Sequence, residues 1–110
     1  MEKFVKGDIV VIPFPFSDLT QTKKRPALVL TSLKGDDLIL CQITSQKIGD
    51  SYAIYLTGNE FKEGTLDQDS NIRPNKIFTA DNSIIDYKIG SLKKEKTNRV
   101  IEKVCEIIKN

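Results

Sequence analysis

The stretch Lys24-Arg25-Pro26-Ala27-Leu28-Val29-Leu30-Thr31-Ser32, with Gly35-Asp36 and then Asp37-Leu38-Ile39-Leu40-Cys41-Gln42-Ile43, decides the fold. Two apolar runs flank a Gly-Asp turn signal, which predicts a hairpin with strands over 26–32 and 37–43. Upstream, Gly7-Asp8 introduces the β-branched run Ile9-Val10-Val11-Ile12, a strand over 6–12. Pro13 and Pro15 are expected to stop its pairing, leaving 14–24 as a loop. Downstream, Tyr52, Ile54 and Leu56 alternate with Ala53 and Tyr55, the pattern of a half-buried strand ending before Gly58-Asn59. A fifth strand is expected over 70–79, where Pro74 implies an edge position or a bulge.

The period then changes. Val100, Ile101, Val104, Cys105 and Ile108 recur at the spacing of one helix face, which predicts a helix over 94–109, capped by Ser91 or a residue just after it. Five or more short strands and one amphipathic helix make a mainly β protein with a C-terminal α-helix, in a small, strongly bent antiparallel sheet or barrel.

A chain of 110 residues suits one compact domain over 1–110. Its 39% hydrophobic and 29% charged content is that of a folding chain. No apolar run approaches the roughly 18 residues that cross a bilayer, and Met1-Glu2-Lys3 leads into a strand pattern in place of a signal peptide, so a cytoplasmic protein without membrane contact is expected. Cys41 and Cys105 read as small buried hydrophobes. The chain has no histidine, which removes the commonest general base, the commonest metal ligand and every Ser-His or Cys-His scheme. Asp67, Asp69 and Asp81 form no spacing typical of a metal site, so neither a metal nor a cofactor is expected.

The net charge of +2 is unevenly spread. Residues 48–72 hold Asp50, Glu60, Glu63, Asp67 and Asp69 against Lys62 alone, a local charge of −4. Lys23, Lys24 and Arg25 are consecutive, and residues 92–110 carry six cations against three anions, or +3. A polyanion is expected at the basic parts, clear of the acidic stretch.

Two groups can carry chemistry. Arg25 stands at a strand entrance, where an anchored guanidinium can pair with a phosphate through two hydrogen bonds; a solvated basic loop is the simpler alternative. Thr44-Ser45 ends an apolar strand, where hydroxyls can be aimed at developing charge or can bond their own backbone.

The ordered set Gly7-Asp8-Ile9-Val10, Phe14-Pro15-Phe16, Lys24-Arg25-Pro26-Ala27-Leu28-Val29-Leu30 and Ile43-Thr44-Ser45 resembles the bacterial MazF/PemK (Kid) toxin family. The likeness runs from about Lys6 to Thr79 and resumes in the terminal helix. It implies an SH3-like small barrel that cleaves single-stranded RNA without metal, as a homodimer held inactive by a cognate antitoxin. By the same resemblance Arg25 would move protons and bind phosphate, while Thr44 would stabilise transition-state charge. The 2′-hydroxyl would attack the adjacent phosphorus, leaving a 2′,3′-cyclic phosphate and a 5′-hydroxyl. Such a reaction supplies its own nucleophile and needs only proton transfer and charge neutralisation. An arginine acting as base would need a strongly depressed pKa, so the division between electrostatic and acid/base roles stays open.

Phe16 is a candidate stacking face for an extruded base, and Lys24, Ser45, Gln46, Lys47 and Arg73 are candidate RNA contacts. Tyr52 and Tyr55 read as strand packing. The chain departs from some family members in lacking a histidine before the Arg-Pro motif and in carrying Asn75 where they place an aspartate. Those departures keep open a nucleic-acid-binding barrel without catalysis. A gyrase poison resembling CcdB is the other alternative, although the C-terminus Ile107-Ile108-Lys109-Asn110 lacks the aromatic that relative uses.

Overall fold

The computed structural model describes residues 3–15 and 22–110, with only the backbone of Pro15 and Thr22. Phe16 therefore lies outside the described residues. Among the described residues seven strands, β1 (Asp8–Pro15), β2 (Thr22–Ser32), β3 (Asp37–Thr44), β4 (Ile54–Leu56), β5 (Phe61–Glu63), β6 (Ser70–Asp81) and β7 (Tyr87–Leu92), precede one helix, α1 (Lys94–Lys109). All seven form one antiparallel sheet in the order β4-β6-β3-β2-β1-β7-β5.

The edge strands β4 and β5 are separated by only Thr57–Glu60, through the 3-10 turn Gly58–Glu60. The five peptide steps from Leu56 to Phe61 span at most about 18 Å. Seven strands laid flat would hold the two edges about 29 Å apart. The sheet must therefore wrap round on itself into a small barrel, as the sequence predicts.

Its interior is filled by Ile9, Leu28, Leu30, Cys41, Ile43, Ile54, Leu56, Phe61, Ile72, Leu92 and Val100. A second cluster, Val10, Ile12, Ala27, Val29, Leu38, Leu40 and Ala80 with Phe4, covers the other face, with Phe14 and Phe78 packed against it. The Phe14 and Phe78 rings meet edge to face, 5.1 Å between centroids, although β2 and β3 lie between their strands. By register Phe78 is level with Asp8, so on a flat sheet the two rings would stand about 24 Å apart, three strand spacings across and six residues along; the end of β1 that carries Phe14 therefore folds back over this face. Curvature of this kind needs bulges. Among the described residues four register shifts occur, at Ile9/Val10, Val29/Thr31, Cys41/Gln42 and Phe61/Glu63.

Several expectations are corrected. Pairing does not stop at Pro13: β1 stays in register with β2 through Pro13↔Lys24 to Pro15↔Thr22. Because β7 accompanies β1 only from Asp8 to Val11, β1 beyond that point is an edge, where a missing N–H is tolerated. The expected loop 14–24 thus shrinks from both ends. Pro74 does mark a bulge, since Cys41 pairs with Ile77 and Gln42 with Arg73, but β6 is no edge strand: it lies between β4 and β3. The strand expected from Tyr52 begins at Ile54, because the N–H groups of Tyr52 and Ala53 both donate to the Asp50 carboxylate at 3.0 Å. β5 and β7 went unforeseen.

The helix has the predicted bounds but a rotated buried face. Thr97 and Val100 are buried and Ile101 and Val104 pack on the interior cluster, while Cys105 is exposed and Ile108 is 67% exposed. Lys93 occupies the N-cap without a side-chain bond, and Ser91 belongs to β7. Two glycines let β5 and β7 approach: a Cβ on Gly90 would lie 2.2 Å from the Glu63 carbonyl oxygen, and one on Gly64 2.2 Å from that of Ile89.

Candidate active site

Alternation along β2 puts Arg25 on the face of Ala27 and Val29, next to the second apolar cluster. Ala27 pairs with Gln42 on β3, and continuing that register by two residues sets Arg25 at the position corresponding to Thr44. Gln42 and Thr44 pair in turn with Arg73 and Asn71 on β6. Arg25, Thr44 and Arg73 therefore share one face at the same end of three adjacent strands. Each is half-buried, the exposure of a side chain held by its neighbours yet open to a ligand.

The surrounding bonds fix this end of the sheet. Thr44 Oγ1 accepts the Gln46 N–H at 3.1 Å, which turns the chain out of β3 and leaves the hydroxyl proton available to donate. Asn71 Nδ2 donates to the Gln46 carbonyl at 3.2 Å, tying the segment after β3 to β6. Arg73 Nη2 pairs with Asp50 Oδ2 at 3.2 Å. Burial raises the Asp50 carboxyl, but the Tyr52 and Ala53 N–H groups and the Arg73 guanidinium outweigh it and hold it below the usual carboxylate range. Arg73 Nε and Asn75 Oδ1 are buried and find no hydrogen-bond partner among the described residues.

The other candidate contacts divide. Ser45, Gln46 and Lys47 form an exposed segment directly after Thr44. Lys24 does not join Arg25: alternation turns it to the other face, where it bridges Asp86 at 3.0 Å. Sequence reasoning did not single out Gln42, Asn71 and Asp50, which the structure brings beside these residues. Period two along β3 links Gln42 to Thr44, but cross-strand register and a bulge of several residues are needed to bring in the others. The expectation that the acidic stretch stays clear of the site is also corrected, since Asp50 reaches Arg73 directly. Among the described residues no group of three or more His, Cys, Asp or Glu side chains is placed to hold a metal ion.

Comparison with solved structures gives the same architecture. MazE-MazF (Form-III) from Deinococcus radiodurans superposes with a TM-score of 0.76 at 18% identity, covering 97% of this chain and 97% of that one. An endoribonuclease in complex with its cognate antitoxin, from a mycobacterial species, gives 0.75 at 8% identity, covering 96% and 94%. Mycobacterium tuberculosis toxin MazF-mt6 gives 0.67 at 16%, covering 91% and 96%. At these identities the likeness establishes the fold. Comparison with curated protein sequences finds no match. Residues 5–108 match the family described as PemK-like, MazF-like toxins of type II toxin-antitoxin systems, and with nearly the whole chain matched the protein belongs to that family.

Proposed function

We propose that this toxin is an endoribonuclease that cleaves single-stranded RNA, with Arg25 and Thr44 as its catalytic pair. The observation that carries the reading is the strand arrangement: Arg25 on β2 and Thr44 on β3 each lie two residues beyond the last pair, Ala27↔Gln42, on one face, with Arg73 on the next strand. A phosphodiester laid across that face meets two guanidinium groups and a hydroxyl. Arg25 binds the scissile phosphate and takes part in proton transfer. Thr44 donates its hydroxyl to the oxygen that gains charge as the ribose 2′-hydroxyl attacks phosphorus. The bond to the 5′-oxygen of the next nucleotide then breaks, leaving a 2′,3′-cyclic phosphate and a 5′-hydroxyl. The backbone bond from Gln46 to Thr44 Oγ1 helps orient that hydroxyl. Ser45, Gln46, Lys47, Arg73 and, outside the described residues, Phe16 contribute contacts to the strand.

In this reading the protein works in the cytoplasm as a homodimer, and a cognate antitoxin neutralises it by laying an acidic segment along the basic face. Among the described residues no helix is long and apolar enough to cross a membrane. End-group analysis of RNA digested by the purified protein tests the chemistry. The reading expects cyclic phosphate and 5′-hydroxyl termini; 3′-hydroxyl and 5′-phosphate termini would contradict it.

A further inference from the structure

The register carries the row of side chains one strand beyond the site. Thr44 pairs with Asn71, and Asn71 pairs with Tyr55 on the edge strand β4, so Arg25, Thr44, Asn71 and Tyr55 line one face across four strands. Strand spacing puts Tyr55 about 10 Å from Thr44 and about 14 Å from Arg25. The β4 residues on either side of it, Ile54 and Leu56, are buried in the barrel interior, whereas Tyr55 is 57% exposed. It is thus not the strand-packing residue the sequence suggests.

A lone exposed tyrosine is unremarkable, but this one is held at both ends. Its backbone carbonyl accepts Lys96 Nζ from α1 at 2.7 Å, and its hydroxyl donates to Asp69 Oδ2 at 3.0 Å. A ring so restrained offers a preformed face at little entropic cost. The neighbouring Asp69 carboxylate repels phosphate and can accept an exocyclic amine, so the occupant this position favours is a base and not the backbone.

We propose that Tyr55 is a stacking platform for one base of the bound RNA strand, on the side of Thr44 away from Arg25. The inference rests on the reading that single-stranded RNA is the substrate. A stacked strand advances roughly 3.4 Å per nucleotide, so a base within about three nucleotides of the scissile bond can reach the ring. Stacking would make Tyr55 a specificity-determining residue that acts on binding more than on the chemical step.

The test uses an oligonucleotide made cleavage-resistant by 2′-O-methylation and carrying 2-aminopurine at successive positions, titrated with wild-type protein and with Tyr55→Ala, Tyr55→Phe and Tyr55→Trp. Quenching at one position is expected with wild type and the aromatic variants and is lost with Tyr55→Ala. Affinity for RNA falls roughly five- to a hundredfold in Tyr55→Ala alone. In cleavage assays that change appears in KM with kcat nearly constant. Thermal melting confirms that each variant folds. If wild type binds and cleaves RNA while Tyr55→Ala binds equally well, or if Tyr55→Phe loses as much as Tyr55→Ala, the stacking role is overturned and the nuclease reading stands. Wild type that neither binds nor cleaves RNA overturns both.

Discussion

Arg73 on β6 and Asp50 in the segment before β4 form an ion pair with Nη2 and Oδ2 3.2 Å apart, on the face that carries Thr44. The most acidic part of the chain thereby partly neutralises a cation of the candidate site. An RNA phosphate must compete with that carboxylate for Arg73. Asp50→Asn retains an oxygen for the Tyr52 and Ala53 N–H groups but removes the charge. The expected result is RNA affinity tightened a few-fold, with a salt dependence steeper by about 0.7 in log–log slope, measured by fluorescence anisotropy at several salt concentrations. In an Arg73→Gln background the same change should have no effect.

Arg25→Lys is expected to lower cleavage almost as far as Arg25→Ala, because an ammonium cannot reproduce the two-pronged pairing of a guanidinium. Thr44→Val should lose roughly a hundredfold or more in kcat, the scale of removing one transition-state donor, while Thr44→Ser keeps most of the rate. Single-turnover kinetics on a short RNA would measure both.

The acid limit of stability has a local origin near the joint between the edge strands. Burial raises the Glu60 carboxyl, but Lys96 and the Thr57 N–H outweigh it and bring it below its ordinary 4.5. A carboxylate lowered in the folded state contributes stability that is present above its unfolded pKa and is lost as pH falls through the folded value. Glu60→Gln should therefore lower Tm at pH 7 and make little difference below about pH 3, checked by thermal melts across pH.

The rotated helix face predicts unequal costs for similar substitutions. Ile72→Ala empties a site with no exposed surface and should cost about 2–5 kcal/mol, whereas Ile108→Ala at 67% exposure should stay within about 0.5 kcal/mol. Denaturant titration separates the two. Gly90→Ala, which drives a Cβ against backbone, should cost roughly 1–3 kcal/mol or more in the same assay.

The two cysteines should differ chemically. Burial pushes the Cys41 thiol up to about 12, and Cys105 lies exposed on α1. A thiol reagent at pH 8 should titrate one group in native protein and two after denaturation.

Much of this was legible in the chain. The central hairpin follows from its apolar runs and Gly35-Asp36, and the bounds of α1 follow from its 3.6-residue period. Pro74, which cannot donate to a ladder, announced an edge position or a bulge, and the bulge is what the structure shows. What escaped reading is set by partners distant in sequence. Tyr87–Leu92 pairs with β1 and Phe61–Glu63 with β7, and neither segment has enough alternation to announce a strand. Pro13 and Pro15 signal a stop only if β1 has neighbours on both sides, and the short reach of β7 is invisible locally. Arg25 and Thr44 could be named from the order of motifs, but their common face depends on β2–β3 register. Asp50 and Tyr55 became visible only through β6, whose Arg73 meets Asp50 and whose Asn71 pairs with Tyr55.

The role of Arg25 is read from cleavage of a long single-stranded RNA in EDTA, with 5′ ends mapped for wild type beside Arg25→Ala. Wild type should cleave at discrete positions, and a folded Arg25→Ala variant should lose about a hundredfold or more in rate. Intact RNA with wild type, or equal cleavage by the variant, would contradict that role.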